Sequence, residues 1–446
     1  MAGTQPTLND LAAKITKLAE TFTTFLRDND VPQPTFAADS PISYEKLTTE
    51  SFLMRQELLD TLMDMWYLTQ GPSESTFNYV HSCMPDAAAL NVLNHFDFWS
   101  AVPLDGSASY AEIAKHTSLP EEVVQRVIEH ATTLRIFAQT EPGKTSTRIE
   151  HSSRSAALAR SSGLRALVST LLDDAGAPMM VLNKALEIYT CGKPELTTDM
   201  SETSFALYQS GKTLGGYTNS WQLLENDGEG EKKGWRQKNF VEFMSYIKEI
   251  FRLEELVLES YNWKAAGKVT VVDLGGSGGH DDIALARKYP DLNIVVQDLP
   301  KVQPAFEANV PEDLKSRVTF MPHDFFNPQP IQADIYMIKL ILHDWPDQES
   351  IKILQGLRPA MRPGARVIFI DYVGKQGEPD GPPLPRSIQQ MGTATDIRMM
   401  ALFNAKERPA SAWKDIFRAA DERFEIARFE VNPLTFFVVI EAVWRE

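Results

Sequence analysis

The sequence predicts an α/β protein in which a doubly wound parallel sheet follows a helical N-terminal region. Three observations lead there. From Lys268 onward, short apolar runs alternate with helical segments, the pattern of βαβ units. The first run ends in Asp273 and passes directly into a glycine turn, GGSGG, and then a helix. Sheets of this class place ligands at such strand C-termini. The N-terminal region instead repeats apolar residues every three or four positions, the spacing of a helix face.

Each element can be justified in order. Leu8, Leu11, Ile15, Leu18, Phe22 and Phe25 mark an amphipathic helix within residues 1–30. Pro32, Pro34 and Pro41 then form an arm. A second helix runs from about Leu47 to Leu68 and stops before Gly71-Pro72. A third, AAALNVLNHFDFWSAV, ends before Pro103. These helices carry more apolar face than one chain covers, so a homodimer is expected. Residues 107–155 read as a winged helix-turn-helix, with Ser118, Pro120, Glu121 and Glu122 opening its second helix and a hairpin around Pro142-Gly143. Residues 156–265 read as mostly helical, broken by a hydrophilic loop at 225–234.

Strands are expected at 269–274, 293–299, 318–324, 333–340 and 365–373. A Gly/Pro-rich loop at 374–387 precedes two helical segments. RFEIARFEV and LTFFVVIEAVW then read as an antiparallel pair at the sheet edge. The expected division is an N-terminal domain at 1–165 and a sheet domain with a helical pocket segment at 166–446. Helices in 160–260 and the Met399-Met400 segment are expected to line the substrate pocket.

Composition narrows the function. Apolar residues make up 43% of the 446, which suits a globular chain and excludes a disordered or collagen-like one. A formal charge of −16 argues against a broad grip on nucleic acid or anionic lipid. The winged-helix segment balances Lys/Arg against Glu, and its second helix carries Glu121, Glu122 and Glu129, so packing is expected of it rather than DNA binding. Two cysteines are too few for a disulfide framework or a cysteine-rich zinc site. No apolar run approaches a membrane span, and a cytoplasmic location is expected. The pairs His280-Asp281-Asp282 and His323-Asp324 have no further ligand cluster nearby, so no metal is expected.

The segment VVDLGGSGGHDDIALA carries the strongest chemistry. It lacks the Gly-Lys-Ser/Thr of a P-loop. Counting from Gly276 and Gly278, the last glycine of a dinucleotide fingerprint is replaced by Asp281. What fits is D-x-G-x-G-x-G as used for S-adenosylmethionine (SAM), here Asp273, Gly275, Ser277 and Gly279. SAM is a sulfonium without a pyrophosphate, so a carboxylate beside the loop helps rather than repels. The second strand ends in Asp298-Leu299, placed to accept from ribose hydroxyls. The third ends in His323-Asp324-Phe325-Phe326, a polar and then an apolar group where an adenine would lie.

At KLILHDWPDQESIKIL the sequence comes to resemble the SAM-dependent O-methyltransferases of plant caffeate type and their fungal relatives. Tyr261-Asn262-Trp263, GGSGG, QDLPKV, the Lys-x-x-x-His-Asp-Trp block and Asn404-Ala405-Lys406-Glu407-Arg408-Pro409 resemble family motifs over nearly the whole chain. The resemblance implies a class I SAM-methyltransferase (Rossmann-like) fold with an N-terminal dimerisation domain. It implies that Gly275, Gly276, Asp298, Leu299, Asp324, Phe325 and Lys339 line the site of SAM or S-adenosylhomocysteine. It makes His343 the proton-handling group and Asp371 and Glu407 the carboxylates that orient it. An imidazole with a carboxylate behind it suits removal of a hydroxyl proton. Three positions depart from the family: Asp371 is one methylene shorter than the usual Glu, Ser277 replaces a Gly, and Asn404-Ala405 replaces Gly-Gly.

Within the family, the chain is similar to the fungal methyltransferase-fold pericyclases of 2-pyridone alkaloid biosynthesis. That similarity implies a bound but unconsumed SAM. The reaction would be dehydration of a pyridone alcohol to a quinone methide, then an Alder-ene or hetero-Diels–Alder cyclisation. Lys339 would polarise a carbonyl and His343 would move a proton. O-methylation of a hydroxyl on a small aromatic or polyketide-type metabolite is the alternative. Either way the partner is a small molecule.

Overall fold

The computed structural model describes residues 5–44, 46–212, 215–374, 384–432 and 436–446. They group into two compact units, and the grouping is discontinuous in sequence. One unit comprises Met1–Ala177, Trp221–Tyr246 and Pro385–Ser387; the other comprises Pro178–Ser220, Ile247–Leu384 and Ile388–Glu446. The sequence reading divides the chain once, between 165 and 166.

In the first unit, Thr7 and Asp10 form a reciprocal cap that starts the helix Leu8–Asp28, whose Leu11, Phe22 and Leu26 are buried. The next helical run, Thr49–His95, is interrupted at Gly71, which sits at φ 75°, ψ 169°. The expected stop at Gly71-Pro72 is therefore a kink. Helix resumes at Pro72 because a proline is tolerated at the opening of a helix. Helices Tyr110–Thr117 and Glu121–Thr133 follow. Three short strands, β1 (Ser107–Ala108), β2 (Ala138–Gln139) and β3 (Ile149–Glu150), pair antiparallel in the order β1-β3-β2. Leu93, Phe98, Trp99, Ile113, Val124 and Ile128 pack with them into one core. A π-helical turn at Thr170–Asp174 ends with the buried Asp174, which pairs with the buried Arg236. Arg236 also donates to Asp227 at 2.6 Å. Burial pushes the Asp174 carboxyl up to about 6, with Arg236 opposing.

The second unit holds the sheet. Its strands are β4 (Thr270–Leu274), β5 (Asn293–Asp298), β6 (Val318–Pro322), β7 (Ile335–Lys339), β8 (Arg366–Tyr372), β9 (Phe424–Asn432) and β10 (Phe437–Trp444). They run in the order β6-β5-β4-β7-β8-β10-β9. The first five pair in parallel. β10 is antiparallel to both β8 and β9, the edge pair expected from the sequence. Val271, Val272, Met337, Ile338, Ile368 and Phe369 are buried, as strands covered on both faces require. Trp413 and Phe417 of helix Ala410–Ala420 cover one face. Leu253, Leu285 and Phe306 cover the other. The chain leaves β4 in one direction toward β5 and returns beyond it at β7, so the switch point lies at the tips of β4 and β7. Of the Gly/Pro-rich loop expected at 374–387, residues 375–383 lie outside the described residues.

Candidate active site

The β4 tip turns through Gly275 at φ 76°, Ser277 at φ 52° and Gly279 at φ 73°. Two of these glycines are needed for space as well. A Cβ on Gly275 would lie 2.5 Å from Cδ1 of Ile341 and 3.9 Å from the Phe325 ring. A Cβ on Gly276 would collide with the Asp273 carboxylate and lie 2.7 Å from Val296. The loop thus presents bare backbone between the tips of β4 and β7.

Asp298 at the β5 tip accepts from the Ser277 amide at 3.0 Å and from the Leu299 amide at 2.7 Å. One carboxylate oxygen serves each amide, and a carboxylate offers about four lone-pair sites, so acceptor capacity remains. Burial raises the Asp298 carboxyl above its ordinary range, and the two amides offset part of that. Beyond β6, Asp324 accepts from the Phe326 amide at 3.0 Å. Phe325 and Phe326 meet edge-on with Trp345 at ring separations of 6.0 and 4.8 Å. A bare loop, a carboxylate with spare lone pairs and an aromatic wall fit a nucleoside with a ribose diol and a flat base.

Lys339 ends β7 and is ion-paired with Asp281, both side chains being almost buried. Lys248 approaches the same carboxylate oxygen at 4.0 Å. Burial works against ionised Asp281, but the two lysines hold its carboxyl below the ordinary value. Next to it lie Asp273 and Asp282, 4% and 0% exposed. Burial, with Asp281 adding repulsion, pushes Asp273 up to about 7. Burial and the neighbouring Asp273, with which its carboxyl shares a hydrogen bond, raise Asp282 well above its ordinary value. Lys339 therefore belongs to a buried lysine–aspartate cluster beneath the glycine loop.

His343 lies in the short turn Leu342–Asp344 that follows β7. Leu340, just before it, has φ 54°, a costly conformation for a branched residue and one that clusters at functional sites. Nδ1 of His343 faces Glu407 at 3.8 Å, and Nε2 faces Asp344 at 3.7 Å. Both distances exceed a hydrogen bond, and both oxygens of the buried Glu407 are without a partner. Burial disfavours the imidazolium, yet Asp344, Asp371 and Glu407 together push His343 up to about 10. The Asp371 carboxylate reaches the backbone rather than the ring. It accepts from the Leu342 amide at 3.1 Å and the Tyr372 amide at 2.7 Å. The sequence reading had it orient the imidazole directly. The shorter side chain instead fixes the turn that carries the imidazole, and burial pushes its own carboxyl up to about 6.

The structure thus brings Gly275, Gly276, Asp298, Phe325, Lys339, His343, Asp371 and Glu407 to the strand tips and the turn after β7. Sequence reasoning missed Lys248, Asp344 and Arg408. Asp344 was legible as the middle of His-Asp-Trp and Arg408 as part of the 404–409 block. Lys248 carried no local signal.

O-methyltransferase lcsG of Purpureocillium lilacinum is 44% identical over 100% of this chain and 96% of its own length. The chain belongs to the O-methyltransferase family. The family's model, an O-methyltransferase domain, matches residues 229–422. Among solved structures, the family member resembles LepI in complex with SAM, with TM-score 0.69 and 21% identity over 98% of this chain and 100% of that one. It also resembles a structure described as a pericyclic reaction enzyme, with TM-score 0.64 and 23% identity over 88% and 95%. These likenesses establish the class I SAM-methyltransferase fold. No helix among the described residues is long and apolar enough to cross a membrane.

Proposed function

We propose that the chain is a fungal SAM-dependent O-methyltransferase acting on a hydroxyl of a small aromatic or polyketide-type secondary metabolite. The observation that carries this reading is His343, set beside Glu407 and Asp344 in the turn that follows β7, the strand paired with β4 and its glycine loop. Gly275, Gly276, Asp298, Leu299, Asp324 and Phe325 hold SAM or S-adenosylhomocysteine, with Lys339 at the edge of that site. Bound there, SAM supplies an electrophilic methyl group. His343 takes the hydroxyl proton, and Asp344, Asp371 and Glu407 stabilise the imidazolium that results. The test is incubation with SAM and a panel of phenolic metabolites. A mass gain of one methyl group with one S-adenosylhomocysteine per product is expected. Turnover that survives His343→Ala would defeat the assignment.

A second reading is favoured by one specific observation. Both ring nitrogens of His343 face carboxylates, which stabilises the charged ring and suits an acid. Under this reading the chain is a SAM-dependent pericyclase. His343 protonates the departing hydroxyl of a pyridone alcohol, water leaves, and the ring hydroxyl's proton returns to His343 as the quinone methide forms. Lys339, released from Asp281, donates to the carbonyl during the Alder-ene or hetero-Diels–Alder step. A pyridone alcohol converted in the presence of SAM, with no S-adenosylhomocysteine accumulating, would select this reading over the first.

A homodimer in the cytoplasm completes the proposal. Trp66, Phe77, Tyr79 and Val80 on helical run Thr49–His95 are all more than 60% exposed, and a second copy would cover them.

A further inference from the structure

We infer that Arg408 is a positioning residue that holds the turn presenting His343. Its side chain is 1% exposed, a burial that a guanidinium tolerates only with its donors satisfied. Nη2 donates to the Trp345 carbonyl at 2.7 Å, Nη1 to the Leu342 carbonyl at 3.3 Å, and Nε to Asp347 at 2.8 Å. The two carbonyls bracket His343 and Asp344. Asp347 opens the helix Asp347–Leu357 that follows the turn. The guanidinium lies over the buried Trp413 ring, 4.7 Å from its centroid, which fixes the plane of the fork. Ser350 Oγ approaches the same two carbonyls at 3.1 and 3.2 Å. One hydroxyl proton serves only one of them at a time, whereas Arg408 binds both, across a turn whose ends are also joined by the Trp345 amide donating to the Leu342 carbonyl at 3.2 Å.

Arg408 touches neither the ring nor the reacting atoms. It acts through the turn's backbone, while the preceding residue, Glu407, faces the ring itself. From above, Asp371 holds the Leu342 amide. The turn is thereby gripped on both sides, and His343 is kept among Asp344, Asp371 and Glu407. Nearby charges also include Asp347, with Lys406 bound to it at 2.5 Å. This inference rests on reading His343 as the proton-handling group.

The test is nuclear magnetic resonance on the full-length protein. Arg408→Lys keeps the positive charge but loses the fork, so any change in the His343 titration reports position rather than charge. The His343 midpoint, assigned by its loss in His343→Gln, is expected to fall by about one pH unit or more. Ser350→Ala leaves the Arg408 bonds in place and is expected to leave the midpoint unchanged. S-adenosylhomocysteine affinity is expected to stay within about threefold in both variants. An unchanged midpoint in Arg408→Lys, even with a lowered melting temperature, would overturn the inference. Should that variant fail to fold, the unaltered protein decides. A guanidinium held on three acceptors gives separate, slowly exchanging NεH and NηH signals in arginine-labelled protein, and averaged signals would overturn the inference. Failure of the reading is seen separately, as turnover that survives His343→Gln.

Discussion

Asp282 is the residue whose chemistry is least expected on a methyltransferase helix. Its carboxyl is fully buried against that of Asp273 and raised well above the ordinary value by burial and by Asp273. A raised carboxyl pKa means that the stability it contributes is present at low pH and is lost as pH rises through the folded value. Asn cannot ionise. Asp282→Asn is therefore expected to be close to neutral near pH 3, below the unfolded carboxyl's value, and more stable than the parent by about 1–3 kcal/mol near pH 8. Denaturant unfolding at both pH values checks this, and a variant that loses ground as pH rises contradicts it. His343 has the opposite use of the same rule. With its titration raised to about 10, base catalysis requires a rate that climbs from pH 7 toward that value. Acid catalysis requires a flat rate that falls above it. Because the shifted carboxyls of Asp344 and Asp371 interact with it, the profile belongs to the set. His343, Asp344 and Glu407 were legible in the His-Asp-Trp and Lys-Glu-Arg blocks, and Asp371 only through the family resemblance. The bonds of Asp371 were not, because a missing methylene decides between ring and backbone only once the turn is in place.

The strands were legible because each is a short apolar run closed by a turn residue or an acid, and all five parallel strands lie within two residues of their expected bounds. The segment after Gly71 was not. Gly-Pro followed by polar residues reads as a stop, yet only Gly71 leaves the helical region. Its φ of 75° with ψ of 169° is accessible in practice to glycine alone, and a Cβ there meets nothing within 4 Å. Gly71→Ala is thus a test of backbone strain without steric clash. A loss of about 1–3 kcal/mol is expected in thermal or denaturant unfolding, and a silent substitution would show that the kink moves freely. Gly275→Ala combines both penalties, positive φ and the 2.5 Å approach of Ile341. Calorimetry with S-adenosylhomocysteine is expected to give at least about tenfold weaker binding, since alanine is strained at that φ and the Ile341 side chain must turn aside. The lysine–aspartate cluster escaped the sequence because Lys248, Asp281 and Lys339 sit on three separate elements.

For the whole molecule, the exposed aromatic row on Thr49–His95 sets the first expectation. Light scattering at micromolar concentration should give about twice the chain mass. Trp66→Glu combined with Phe77→Glu should return it to one, whereas an unaltered dimer would place the contact elsewhere. The division into two units was only partly legible. Composition and periodicity locate the change from helices to sheet, but they carry no sign that Trp221–Tyr246 returns to the first unit. Arg236, the partner of buried Asp174, lies in that returning segment. This has a consequence for synthesis on the ribosome. The N-terminal unit lacks its second segment until residue 246 has emerged and its last until residue 387, and by 246 the first stretch of the second unit is already outside. A fragment that ends at 165 or 177 lacks Arg236, and in the longer one Asp174 is left buried without its cation. Such fragments should be insoluble or should expose the site to protease. No cut between residues 177 and 385 leaves the first unit whole, because its segments lie on both sides of any such cut.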